Sequence, residues 1–518
     1  MSRLWKILIA LAAVLVVLPC AWVATLGTAP EKAVEAYKKS LIARGEKLDI
    51  ADVSPPPVAT GQNGLDAFNE GVSAIPPGGN DWRTVAGGMR MVAPGKAMVV
   101  FMQPEVREID FTNSWSNLIA VQDDNRAATE LFEQAAAFPA LDFHVDYTQG
   151  PEKLLRYLPD LKRAAQRLST DAICNLHKGD AGSAATNICA VVGLTKAEQD
   201  DRFVISQLVR IALAAIAANA TWEFLQSGNV NDEELAMLQK SWEQLQYIQP
   251  MENSFLMERA SDEATIKKMR DSEEYFNRMM NEYAPRGSGG GSGGWPDSIQ
   301  NFLDNVRFGY AKSMWKATWT YSDELRMLQQ DQIILESVRA IETNDCFNSP
   351  YADMEKRLKS IGTTNEPEFS FPMDAMDLRW MFSGNGPVLA STIRRVMAAE
   401  VTRNVIITAI ALKRCQLKYG SYPDALSKLV PQFLAAVPND PVDGKPLRYR
   451  LNGDGTFLLY SIGPNGKDDG GNPSLDVSTG TGSYSVSFYW LNPHALDWVW
   501  PQPATPAEIQ YFYDHPPK

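Results

Sequence analysis

Two stretches of this 518-residue chain group side chains able to do chemistry. One is Asn465-Gly466-Lys467-Asp468-Asp469-Gly470-Gly471, with Asp476 beyond it. Asp468, Asp469 and Asp476 offer hard carboxylate oxygens on a glycine-rich turn, a donor set that suits calcium. Lys467 inside the loop and the lack of EF-hand spacing argue for the competing account, a solvated turn whose acids avoid burial. The other stretch is Asp142-Phe143-His144-Val145-Asp146. An extended backbone there places two carboxylates and an imidazole on one side, as a metal site or an acid–base pair would need. The plainer account, preferred here, is the polar face of an edge segment.

Other candidates are bland. His177 falls at a helix C-terminus, where a cap is expected. His494 and His515 sit among prolines and aromatics. Trp315, Trp319 and Trp380 read as core and not as a carbohydrate platform. There is no nucleophile elbow, P-loop, dinucleotide fingerprint or HExxH motif, and no CxxC or Cys/His cluster to hold zinc.

The elements that must carry these residues follow from composition and periodicity. Apolar residues make up 45% and charged ones 21%, so the chain folds around cores, and its length calls for more than one. A net charge of −13 argues against generic nucleic-acid binding. Ile7 to Leu26 is uncharged and long enough to span a bilayer, with Arg3 and Lys6 on the cytoplasmic flank. An uncleaved anchor is expected over 1–27; a cleaved signal peptide is the alternative, and Pro19 before Cys20 fits a lipobox poorly. Either way the rest lies outside the cytoplasm. Cys174, Cys189, Cys346 and Cys415 there permit two disulfides, although a direct Cys174–Cys189 bridge is awkward across a helical hairpin.

Leu154, Leu158, Leu161, Ala165, Leu168, Ala172 and Leu176 recur at spacings of three and four, the stripe of one helix, which Gly179 ends. Stripes over Ala181–Val191 and Val204–Phe224 follow, and Asn231 with Glu234 forms a capping box opening a fourth. Short connections make these antiparallel helical hairpins. Helix continues over 252–284, a Gly/Ser connector occupies 286–294, and helix resumes from Asp297 to about Ile341. A long helix from about Val388 to Lys418 precedes strands over Leu447–Leu451, Thr456–Ser461 and Ser483–Trp490.

The stretch 396–471 resembles the soluble domain of the major pseudopilins of type II secretion systems. The resemblance rests on the helix ending in Gly420-Ser421-Tyr422-Pro423, on Leu426, Leu429 and Pro431, and on Asp440-Pro441-Val442-Asp443-Gly444-Lys445-Pro446-Leu447-Arg448-Tyr449. The Gly/Asp-rich run ending at Gly471 closes it. It covers about 80 residues. It implies calcium in the final loop, which Asp468 and Asp469 match loosely. The pilin-like helix is internal here, which argues against pilus assembly through it. The overall plan is also similar to large exported proteins of planctomycetes and verrucomicrobia, which implies a bacterial envelope location.

The expected fold is therefore mainly α, as antiparallel helical hairpins, with a C-terminal α+β pseudopilin-like unit and one N-terminal transmembrane helix. The expected layout is 1–27 anchor or signal, 28–395 helical body, 396–490 α+β unit and 491–518 Pro/aromatic tail. The expected protein is a single-pass inner-membrane protein with its bulk in the periplasm. It contacts the bilayer through 7–26 and meets envelope or secretion partners through the α+β unit, without catalysis. The alternative is an exported hydrolase or carbohydrate-binding protein with a dispersed site. A concave pocket with convergent acids and a perturbed group would mark the enzyme, and an apolar patch or groove the interaction protein.

Overall fold

The computed structural model describes residues 29–75, 88–107, 112–152, 155–282, 308–309, 312–361, 380–475 and 491–515. The hydrophobic segment 7–26, the connector 286–294, the strand expected over 483–490 and Asp476 lie outside them.

Among the described residues the molecule is mainly helical. Helix α1 covers 29–43; α2 is Ile50–Val53, α3 Leu65–Ala74, α4 Trp115–Asp124 and α5 Arg126–Ala136. The striped region forms α6 (Tyr157–Lys178), α7 (Ala181–Ala197), α8 (Val204–Gln226) and α9 (Asp232–Glu243). Beyond them lie α10 (Ile248–Asp271), α11 (Glu273–Glu282), α12 (Thr320–Asn344), α13 (Asn348–Ser360), α14 (Gly386–Tyr419) and α15 (Pro506–Asp514).

The local signals for α6 to α9 operate as expected. Gly179 takes φ +81° and ends α6, a left-handed conformation that costs glycine nothing. Asp180 then caps α7, accepting from the Ser183 amide at 3.0 Å. Both halves of the Asn231/Glu234 capping box are present. The buried faces are rich in alanine, with Ala164, Ala165, Ala184, Ala185, Ala217 and Ala220 inaccessible. Small side chains let the axes approach closely.

Helix α8 is long and apolar enough to cross a membrane by length and composition, a second such run that the sequence reading did not anticipate. It packs instead against α6, α7 and α14, and it buries Arg210 and Glu223 completely. Helix α14 is likewise a core element: Val405, Ile406, Ile410, Ala411 and Leu412 are sealed, and α8 and α9 pack along it.

Strands β1 (Arg90–Ala93), β2 (Lys96–Met98), β3 (Val106–Arg107) and β4 (Thr112–Asn113) interrupt the helical region, and the expected all-helical body lacked them. Strands β5 (Arg448–Leu451), β6 (Phe457–Ser461), β7 (Trp498–Val499) and β8 (Gln502–Pro503) complete the set. β5 and β6 form the expected hairpin, with Leu451 opposite Phe457. β7 adds antiparallel to β6, and β8 adds parallel to β2. The C-terminal segment thus stitches the last sheet to the early hairpin, and Pro501 accepts from the Trp222 indole at 2.9 Å. One hydrophobic core runs from Phe68 and Leu161 through α14 to Leu459 and Trp498. A second core gathers Leu41, Ile266, Phe276, Trp315 and Met327, with Trp319 packed on its edge.

Candidate functional site

The loop after β6 places Asp468 and Asp469 side by side in sequence but on different partners. Asp468 accepts from the Tyr460 hydroxyl at 2.9 Å and the Gly470 amide at 3.0 Å, and Arg448 Nε lies 3.6 Å away. Asp469 accepts from the Asn465 amide group at 2.8 Å. The loop is organised by a residue the sequence reading passed over, Asp497. Its carboxylate is 1% exposed and accepts from the amides of Asp469, Gly471 and Asn472.

Among the described residues, no group of three or more His, Cys, Asp or Glu is arranged to hold a metal ion. The loop carboxylates already have donors from the chain, and Arg448 supplies positive charge beside Asp468. Arg448 also bonds Asp443 at 2.7 Å and fully buried Asp440 at 3.3 Å. The turns expected at Asp440-Pro441 and Asp443-Gly444 are present: Asp440 receives the amides of Val442 and Ile462, and Asp443 receives that of Lys445.

Within the Asp142–Asp146 segment the imidazole and the first carboxylate come together, with His144 Nδ1 3.3 Å from Asp142 Oδ2. His144 takes φ +53°, which breaks strand alternation, and its amide turns back onto Asp142 at 2.8 Å. Asp146 caps Thr148 and bonds Gln149. The inward residues are the ones between and after. Phe143 stacks on Tyr157 at 4.1 Å, and the Tyr147 hydroxyl donates to Asp201 at 3.2 Å.

Those contacts frame a buried polar cluster at the turn between α7 and α8. Asp201 accepts from both Tyr147 and Tyr157. Burial, reinforced by the Asp201 charge, pushes both phenols well up. Glu198, 1% exposed, finds no donor for either carboxyl oxygen. Burial first, then Asp201 beside it, holds its carboxyl well above the usual range. In sequence, Glu198-Gln199-Asp200-Asp201 looks like a solvated charged turn, so nothing there marks Glu198 as interior. Glu223 on α8 is a comparable case. It receives the amides of Val100 and Phe101, and burial pushes it up to about 8.

His177 corrects a simpler expectation: its ring stacks on Trp115 at 4.0 Å and its Nδ1 meets the Phe101 carbonyl at 2.8 Å, so it serves tertiary packing and not a helix cap. Among the described residues Cys174, Cys189, Cys346 and Cys415 carry free thiols, with Cys174 and Cys415 buried.

A cleft of about 420 Å³ opens where α9, the end of α12 and α14 meet the loop 434–441. Ile248, Ile341, Ile407, Leu434 and Val437 supply apolar wall, and Glu243, Asp345, Glu400 and Arg403 the charges. Buried Glu400 accepts from the Tyr247 amide at 3.0 Å and pairs with Arg403. Asn404 donates to the Asn439 carbonyl and Asn439 donates to Asp345, each at 2.9 Å, closing the floor of the seam. Glu198, Glu223 and Asp331, three of the carboxyls that burial raises, do not line this cleft.

The chain matches no protein-family model, no curated protein and no solved structure.

Proposed function

We propose that this chain is a non-catalytic, membrane-anchored envelope protein. Residues 7–26 tether it to the inner membrane, and the pseudopilin-like unit over 396–490 serves assembly or partner contact beside a secretion apparatus. The observation that supports this reading most is the setting of α14. That helix packs along α8 and α9, so the unit is held by the body and is presented to partners from a fixed base. The seam cleft, walled in part by apolar side chains, offers a surface for such a partner.

Fractionation of the full-length chain, with protease added to intact spheroplasts, tests the location. Carbonate-resistant membrane pelleting with external cleavage is expected; soluble cytosolic protein overturns the proposal. In-cell crosslinking is expected to trap inner-membrane or secretion proteins. Calcium at Asp468, Asp469 and Asp476 is a separate part of the proposal. If melting is the same in calcium and in chelator, for wild type and for Asp468→Ala, the ion has no role.

A further inference from the structure

We propose that the seam cleft receives a peptide segment of a partner that inserts a lysine or arginine side chain between apolar neighbours. This deepens the partner-contact reading above and rests on it.

The charge arrangement selects the occupant. Of the three carboxylates lining the cleft, Glu400 is committed to Arg403 and to the Tyr247 amide. Glu243 and Asp345 are exposed, and their hydrogen-bond partners among the described residues are neutral amides, Gln239 at 2.8 Å and Asn439 at 2.9 Å. The cleft thus carries two uncompensated negative charges and no uncompensated positive one among its lining residues. An anionic occupant is repelled, and a neutral one gains nothing from either charge. Lysine and arginine match both features, since their methylene stems lie along apolar wall while the head group meets carboxylate.

The walls favour a chain segment over a lone cation. Ile248, Ile341 and Ile407 flank the acids, and Ala435 and Ala436 are exposed along one side with nothing bulky to hold a backbone away. The volume of about 420 Å³ takes two or three side chains. The net charge of −13 steers a basic partner toward the molecule from a distance.

The test uses full-length protein in detergent, titrated with acetyl-Ala-Leu-Lys-Leu-Ala-amide and with the same peptide carrying glutamate in place of lysine. The lysine peptide is expected to bind about tenfold more tightly at low salt, with the difference shrinking as salt rises. The double variant Glu243→Gln/Asp345→Asn should abolish that preference. Asparagine accommodates the φ of +48° at position 345, so the fold is kept, and an unchanged melting curve confirms it. Equal affinity for the two peptides, binding of neither, or a preference that survives in the double variant overturns the inference. Membrane fractionation is unaffected by any of these results, so failure here is separable from failure of the envelope reading.

Discussion

At the scale of single residues, the molecule is governed by a few buried charges whose partners lie far off in sequence. Glu198 is a carboxyl without a donor, set beside Asp201 in a sealed pocket. Its folded pKa is raised, so the folded state holds a proton that the unfolded chain releases above about pH 4.3. Stability is therefore lost as pH climbs from there toward the folded pKa. Glu198→Gln keeps the neutral shape. The variant is expected to be more stable than wild type at pH 7 by on the order of 1 kcal/mol, with a flatter decline between pH 5 and 8. Chemical melts across that range check it, and parallel curves would show that Glu198 is not protonated in the fold. Arg448 is the opposite case, a charge whose partners depend on it. Arg448→Met leaves fully buried Asp440 without its counter-charge and should cost about 2–3 kcal/mol in urea melts.

Among the elements, close approach sets the tolerances. Gly193 on α7 lies against α5 so tightly that a Cβ would sit 2.6 Å from the Ala136 carbonyl oxygen. Helix backbones cannot yield locally, so Gly193→Ala should force the pair apart. A loss of about 1–3 kcal/mol in thermal stability is expected, despite alanine's better helix propensity. An unchanged or higher Tm would show that the two helices slide freely. Element boundaries set by capping and glycine were legible beforehand: Gly179, Asp180 and the Asn231/Glu234 box stand where the sequence puts them. The β1–β2 hairpin was not, because its short strands gain their order from β8, some 400 residues on.

For the whole molecule, the decisive feature is how α1 is fastened to the body. Leu41 enters the second core, and Lys38 pairs with Glu263 and Glu324. Glu46 then joins Arg259, Arg339 and Gln332. Burial works to raise the Glu46 carboxyl, but Arg339 and Arg259 outweigh it and hold it at about 2. That clamp is complete above the unfolded pKa near 4.3 and is lost as pH falls toward 2. Glu46→Ala takes the carboxylate from the sealed Arg259 and leaves it only the neutral Gln332 and Lys47 oxygens, and a cost of about 3 kcal/mol is expected. The readout is faster proteolysis between α1 and α2, together with a lower Tm. Equal cleavage of wild type and variant would remove the clamp from the account.

The sequence alone determined what is local and periodic: the helical stripes and their caps, the β5–β6 hairpin, the turns at Asp440 and Asp443, and the burial of Trp315. These follow from backbone preference and from spacing along a few turns of chain, which a sequence displays directly. Only the tertiary structure decided which polar residues lose their water. Asp142 and His144 sit at a partly exposed turn, while Glu198, Asp497 and Glu46, which nothing in the sequence marks out, are interior or clamped. The cleft at the seam belongs to the same class, because its walls come from four separate stretches between Glu243 and Pro441. Desolvation depends on what packs on top of a residue, and that information is held by partners distant along the chain.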